Sequence, residues 1–323
     1  MLRRGLAKGV LLGGAALSAR HAAAQPAFPA LTRIVIPFAA GGPIDLIGRL
    51  IAERLGGELG GHVIVDNRPG ANGVVAGQFV ARAPADGSVL LFGAVSTFAI
   101  TPHLETNIAY DPRRFAPVTR VVVSGSGLAV NARIPADTVP ALVAWVRGRG
   151  EPLRLASNGM GSISHAWLEL FRRATGLDIL HVPYRGAGPA LVDLAGGQVD
   201  GLFADLLVQL PLVRDGRAKI LGLIGPDRHP AQPQIPTIRE QGFPGVDGLS
   251  WSGIVAPPDT PPAVTARIAA AIAKALAEPA IRERLATFGS APAPMPPAEF
   301  GAYLESETAF WARVIRENRI TLE

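Results

Sequence analysis

No cysteine occurs among the 323 residues. Disulfides, thiolate metal sites and a lipid-modified cysteine anchor are therefore excluded, and an oxidising compartment is suited without being required. Histidine is scarce: His21, His62, His103, His165, His181 and His229 are the only six, and none stands in the His-Glu-x-x-His spacing of a zinc protease. The chain has no Gly-x-Ser-x-Gly elbow, and no glycine loop carries a Walker lysine. Gly186-Ala187-Gly188-Pro189-Ala190-Leu191 misses the last glycine of the dinucleotide pattern. Beyond the N-terminus no apolar run is long enough to span a bilayer. Charge of one sign is also nearly lacking. Arg3, Arg4, Lys8 and Arg20 carry four of the five net positive charges, so without the first 24 residues the formal charge is +1. A basic stripe for nucleic acid is not implied. Nothing accumulates into a catalytic constellation, and no cofactor or metal is expected.

What is present begins with residues 1–24, which have the layout of a secretory signal peptide. Arg3, Arg4 and Lys8 give a basic start, Val10 to Leu17 an apolar run, and Ala22-Ala23-Ala24 a small-residue cleavage site before Gln25. The apolar part is short and glycine-rich for a spanning anchor, the alternative reading. Arg3-Arg4 leaves a twin-arginine export route open beside the general one. The remaining chain, roughly 300 residues, suffices for two α/β domains with cores of their own.

The stretch Leu31 to Leu50 predicts a buried strand (Ile34, Val35, Ile36), a turn of small residues (Ala39, Ala40, Gly41, Gly42) and a helix with Pro43 at its first position. A helix N-terminus offers N–H groups without internal partners, and glycines let main chain approach a ligand. Such a turn is either an anion cradle or simple tight packing. The helix 44–59 puts Ile47, Ile51, Leu55 and Leu59 on one stripe. Strands at 63–65 and 89–92 with a helix at 74–83 complete β-α-β-α-β, hence a parallel sheet with right-handed crossovers. A turn at Gly93 to Thr97 follows the third strand. The pattern restarts near 121–130, with strands at 128–130, 153–156, 177–182, 199–204 and 219–223 and helices at 139–147, 163–175 and 189–195. Residues 226–244 read as an ordered, proline-punctuated return path, and 251–256 as a strand rejoining the first unit. Helices at 262–277, 280–288 and 297–318 finish the chain. The last carries an apolar stripe (Phe300, Leu304, Phe310, Trp311, Val314) expected to pack on its own domain.

Five strand-end turns share small and hydroxyl-bearing residues: Phe38 to Asp45, Ser96-Thr97, Ser157 to Ser162, Tyr184 to Gly188, and Asp205. In open parallel sheets ligands sit beyond the carboxyl ends of the strands. Two sheets facing each other would line a cleft with N–H groups and hydroxyls able to hold a carboxylate without a salt bridge. Hydrogen bonds to a charged group contribute roughly 1.5–3 kcal/mol each, and micromolar affinity needs about 8. His165 is posed either as a base for Ser162 or Ser164 or as a structural histidine near a helix start; a serine one turn back is a poor partner.

The segments IVIPFAAGGPIDLIGRLIAERL, VIVDNRPGANG, APADGSVLLFG, ASNGMGSISH, HVPYRGAGPALVDLAGGQVDGLFAD, PTIREQG and WSGIVAPPDTPP resemble, in order and along nearly all of the chain, the Bug family of periplasmic receptors of tripartite tricarboxylate transporters. The resemblance implies a type II periplasmic-binding-protein fold, with two α/β domains joined by two crossovers around a ligand cleft. The expected division is 25–125 with 249–323 as one domain and 126–248 as the other. It implies a small organic acid as ligand, membrane partners of one large and one small integral subunit, and a periplasmic, monomeric protein. Carried onto this sequence, it implies ligand contacts from Phe38, Ala40, Gly41, Gly42, Ser96, Thr97, Ser157, Gly159, Ser162, His165, Tyr184, Arg185, Gly186 and Asp205. Asp45 matches the family's acid: it organises the turn and its waters, meets a ligand amine, or is a first-turn acid favoured by the helix dipole. Arg185 departs from the usual lysine and either grips a carboxylate in bidentate fashion or points to solvent. Ala166 stands where relatives commonly have leucine. Two other roles fit the same chain: an orphan receptor presenting its ligand to a sensor kinase, and an exported hydrolase, which needs a paired base and nucleophile.

Overall fold

The computed structural model describes residues 28–105, 108–230 and 232–322. The expected signal peptide lies outside the described residues. The first half builds β1 (Leu31–Ile36), α1 (Pro43–Leu59), β2 (His62–Asn67), α2 (Val74–Ala81), β3 (Val89–Ala94), α3 (Thr101–Leu104) and β4 (Ala116–Ser124). One residue later the chain enters β5 (Ser126–Asn131), α4 (Val139–Arg149), β6 (Leu153–Ser157), α5 (Ile163–Thr175), β7 (Ile179–Pro183), α6 (Ala187–Gly196), β8 (Gly201–Asp205), α7 (Leu206–Arg214) and β9 (Ala218–Leu223). After a long return come β10 (Ser250–Ala256), α8 (Pro262–Ala277), α9 (Pro279–Thr287), β11 (Ser290–Pro292) and α10 (Pro297–Asn318).

Two sheets result, in the orders β11-β4-β10-β3-β1-β2 and β7-β6-β8-β5-β9. β1 runs parallel to β2 and β3, as the sequence pattern requires, while β10 is antiparallel to β3 and β4. In the second sheet β6 is parallel to β7 and β8, and β5 is antiparallel to β8 and β9. The fold is therefore the mixed α/β, two-sheet architecture that the resemblance implied.

Local chemistry explains the opening unit. Ile34, Val35 and Ile36 are fully buried, which suits a strand covered on both faces. Gly42 caps α1, Pro43 takes its first turn, and Gly60, with φ of 79°, ends it by bonding back to Gly56. α1 lies tight on the sheet at Gly48, where an added Cβ would stand 2.6 Å from the Ile36 side chain.

Three features differ from expectation. The turn at Ser96-Thr97 is instead a wide π-type turn, Ser96–Ile100, running into α3. Its apolar residues fold it inward: Phe98 is buried and stacks on Trp251 at 6.0 Å. The run 121–130, read as one restart, is two strands of different sheets separated by Gly125 alone. Gly125 N–H bonds to Gly289 and its carbonyl accepts from Leu206, so tertiary contacts rather than a turn sequence set the break. α10 does not keep to one half. It packs on β4 and on Ser96–Ile100, and also against α5 of the second sheet, where Arg173 pairs with Glu317 at 3.1 Å. Trp167 Nε1 donates to the Gly248 carbonyl at 2.8 Å, and Gly248 lies against Trp311. One continuous core accordingly holds Val35, Leu128, Trp167 and Trp311 together.

Candidate functional site

The turn after β1 is shaped from below by Asp45. Its side chain is buried, and Oδ2 accepts the Gly41 N–H at 2.9 Å and Arg49 Nε at 3.0 Å. Burial pushes this carboxyl up, but the Arg49 guanidinium and the Gly41 N–H outweigh it and hold it below the usual carboxylate range. Arg49 Nη2 also reaches Asn67 Oδ1 at 3.1 Å, and Asn67 Nδ2 donates to the Phe38 carbonyl at 3.1 Å. Asn67, at the end of β2, is a brace that sequence reasoning missed, since it acts across 29 residues. The Gly41 N–H is spent on Asp45, which leaves the first-turn N–H groups of Gly42, Ile44 and Asp45 as the donors of this loop. Gly41 has φ of 83°, a backbone that favours glycine. Ala39, Ala40 and Gly41 are exposed and Phe38 half-buried.

In the second sheet the turn after β6 is tied by hydroxyls. Ser162 caps α5 by accepting His165 N–H at 3.3 Å, and its own hydroxyl donates to the Gly159 carbonyl at 2.6 Å. Ser164 Oγ accepts the Asn158 N–H at 2.8 Å. His165 Nδ1 accepts the Gly161 N–H at 3.2 Å, so its ring faces backbone rather than Ser162 or Ser164. Ser157 is fully buried, with Oγ 2.7 Å from His181 Nε2. This is a serine–histidine contact, and Ser157 is 0% exposed. The two imidazoles stack at 4.3 Å, with Glu169 3.7 Å from His165 and Arg172 3.4 Å from Glu169. The signal that could have found the pair is weak, because His181 lies 24 residues from Ser157.

Burial pushes both rings down to about 4, aided at His165 by His181 and Arg172 and at His181 by Arg172. An unfolded histidine titrates near 6.5, so the unfolded chain takes up protons that the folded one refuses. The stability conferred by the neutral pair is complete above about pH 6.5 and is lost as pH falls toward 4. Burial raises Glu169, which acts in the opposite direction on acidification. Urea midpoints at pH 7, 6 and 5 are expected to fall more steeply in the wild type than in a His165→Asn/His181→Asn double variant. Equal slopes would show that the pair is not the source.

The remaining expected residues fall as follows. Ser96 is half-buried and Thr97 buried, both on the wide turn. Tyr184 gives its hydroxyl to Asp193 at 2.6 Å, and burial with that carboxylate pushes it up to about 12. Arg185 is exposed and Gly186, with φ of 106°, leads into α6. Asp205 sits where the chain crosses between sheets. Ser126, first residue of β5, donates to it at 2.6 Å, and burial raises its carboxyl against the pull of the Ser126 and Ser250 hydroxyls. Ser250 opens β10, so Asp205 joins both crossings. Asp45 Oδ1, Thr97 Oγ1 and Asn158 Oδ1, on three different strand-end turns, are buried without a hydrogen-bond partner among the described residues.

The halves meet at the strand ends. Asn72, in the turn after β2, points its carboxamide to the Met160 carbonyl at 3.5 Å. A separate cavity of about 980 Å³ lies beside α10, lined by Phe98, Phe115 and Leu304 with His103 and Tyr110. Its apolar walls push Tyr110 up to about 12 and His103 down. All of its lining comes from the first sheet's half, so it joins no chemistry from the two sheets.

Two α/β halves joined by crossings, with polar turns meeting at their strand ends, define the class of bilobal solute-binding proteins. The description "Tripartite tricarboxylate transporter family receptor" matches residues 47–320, and the chain belongs to that family. BugT of Bordetella pertussis is 32% identical over 98% of this chain and 97% of its own length. R. palustris Rpa4515, solved with adipate, superposes with a TM-score of 0.83 at 32% identity, covering 90% of this chain and 98% of that one. MatC from Rhodopseudomonas palustris, with bound malate, gives 0.77 at 32% identity over 88% of this chain and 98% of that one.

Proposed function

We propose that the chain is a periplasmic receptor that captures a small dicarboxylate between its two sheets, closes on it by a hinge, and delivers it to a tripartite membrane transporter of one large and one small subunit. The observation that carries this reading is the Phe38–Asp45 turn. Its buried acid takes an N–H from below and leaves the remaining first-turn donors of α1 for an anion. The Asn158–Ser162 turn at the head of α5 offers a second set from the other sheet. The partnerless Asp45 Oδ1 and Asn158 Oδ1 are acceptors, suited to ordered water or a ligand hydroxyl rather than to the carboxylate itself.

The reading divides the chain into two lobes, 25–125 with 249–323 and 126–248, and the two separate sheets support it. Gly125 and the segment before Ser250 serve as hinges, braced by Asp205. Ligand contacts from both lobes exist together only when the cleft is shut, so binding shifts the equilibrium toward closure. Malate and adipate, bound by relatives, set the starting panel. It is exported by a signal peptide that is cleaved after Ala24, and it is a monomer without catalytic activity. A hydrolase is disfavoured because Ser157 is buried beneath its histidine.

Calorimetry and thermal shift against C4–C6 dicarboxylates, tricarboxylates and aromatic acids test the proposal. At least one acid is expected to bind with micromolar or tighter affinity. Stabilisation by sugars or cations and by no acid would refute the ligand class.

A further inference from the structure

The turn after β2 is absent from the set of five strand-end turns, yet its backbone is unusual. Gly70, Ala71, Asn72 and Gly73 have φ of 144°, 43°, 50° and 102°, four consecutive residues in a region that L side chains seldom enter. The conformation is fixed from two sides. Gly73 N–H bonds to the Gly70 carbonyl at 2.9 Å, and the Asn72 carbonyl accepts Thr101 Oγ1 from α3 at 3.2 Å. Gly73 lies over Thr97, whose buried hydroxyl has no partner among the described residues.

Held this way, Asn72 faces the other lobe. Its Nδ2 is 3.5 Å from the Met160 carbonyl, a loose contact at the limit of a hydrogen bond. The next residue, Gly161, is roofed by the first lobe. A Cβ built there would stand 2.6 Å from Leu322, 3.0 Å from Leu104 and 3.6 Å from Asn72 Nδ2. Leu104 ends α3 and Leu322 belongs to the C-terminal tail, so three first-lobe side chains converge on the loop that offers the second lobe's donors. Backbone geometry alone does not call for asparagine: glycine satisfies a positive φ at least as well, as it does at both ends of this turn. What asparagine adds is a carboxamide directed across the gap.

We propose that Asn72 is a positioning residue of the cleft, whose carboxamide holds the Asn158–Ser162 loop against the first lobe and thereby sets the population of the closed form. This rests on the reading of the cleft as a ligand site that shuts between two lobes. A loose bond suits the role, since a strong one would hold the lobes together without ligand.

Asn72→Gly tests it, because glycine keeps the backbone and removes only the carboxamide. The chain has no cysteine, so Glu53→Cys on α1 and Val192→Cys on α6 give a unique spin-label pair, both sites being exposed. Double electron–electron resonance on the ligand-free protein is expected to show a larger share of long inter-lobe distances in the glycine variant. Calorimetry with the best-binding diacid is expected to show affinity about tenfold weaker, mostly through faster release. Unchanged far-UV circular dichroism and melting temperature separate this from misfolding. Distance distributions and affinity that match the wild type would overturn the proposal. If no acid binds the wild type, the carboxylate reading fails separately, and the distance measurement, which needs no ligand, still decides for or against Asn72.

Discussion

Asp45→Ala is expected to lower affinity for a bound diacid at least tenfold, about 1.4 kcal/mol or more. The side chain is nearly fully buried under the first loop, and its Oδ2 holds Gly41 N–H and Arg49 in place. Removing it frees the Gly41 N–H, unpins Arg49 from the Asn67 brace and lets the Phe38 carbonyl move. The fold should also lose about 1.5–3 kcal/mol, the worth of a hydrogen bond to a charged group, while the freed N–H of exposed Gly41 rehydrates. Arg49 is half-exposed and rehydrates, which keeps the loss below that of a fully buried ion pair. Asp45→Asn retains an acceptor for Gly41 and is expected to fall between wild type and alanine in both affinity and melting temperature. A variant that loses binding as completely as alanine while keeping full stability would instead place Asp45 against a ligand amine.

Glu307→Ala is expected to be the costliest single change for stability. Glu307 Oε2 accepts Trp251 Nε1 at 2.8 Å and Trp311 Nε1 at 3.3 Å, and both indoles are buried. Burial raises this carboxyl despite the pull of the two indoles and Arg120. Alanine would strand two buried N–H groups, a loss of roughly 2–5 kcal/mol. Trp251 also stacks on Phe98, and Trp311 touches the Gly248 backbone that Trp167 grips from α5. The damage should therefore reach the core shared by the two sheets as well as α10. Urea unfolding checks this, with Glu307→Gln expected to retain most of the stability because its amide oxygen still accepts. Equal losses in the two variants would point to charge rather than to the indole bonds.

Elements with local signals were legible in the sequence. α5, α8 and α10 begin and end where serine or proline starts and apolar spacing predicted. α1 opens on Pro43, the first helical position that its fixed φ and missing N–H suit. Elements set by distant partners were not legible. α7 carries Pro211 inside its span, and β11 is three residues long, so neither has a pattern of its own. The break at Gly125 is imposed by Gly289 and Leu206. The same division runs through the site. The glycines, hydroxyls and helix starts of the two loops could be read in order, whereas Asn67 beneath Phe38, His181 against Ser157 and Asn72 facing Met160 join residues 24 to 88 positions apart. A single sequence holds no record of those pairings. Tyr184 illustrates the converse: its motif was legible, but the partner of its hydroxyl, Asp193, was not.

The central claim is that the ligand lies between the strand ends of the two sheets. A crystal structure grown with the tightest-binding diacid tests it most directly. One carboxylate is predicted at the N–H groups of Gly42 and Ile44, the other end at the Asn158–Ser162 turn, with Asn72 closed over it. Density for the diacid in the cavity beside Phe98, Tyr110 and Leu304, with the two loops unoccupied, would contradict the account.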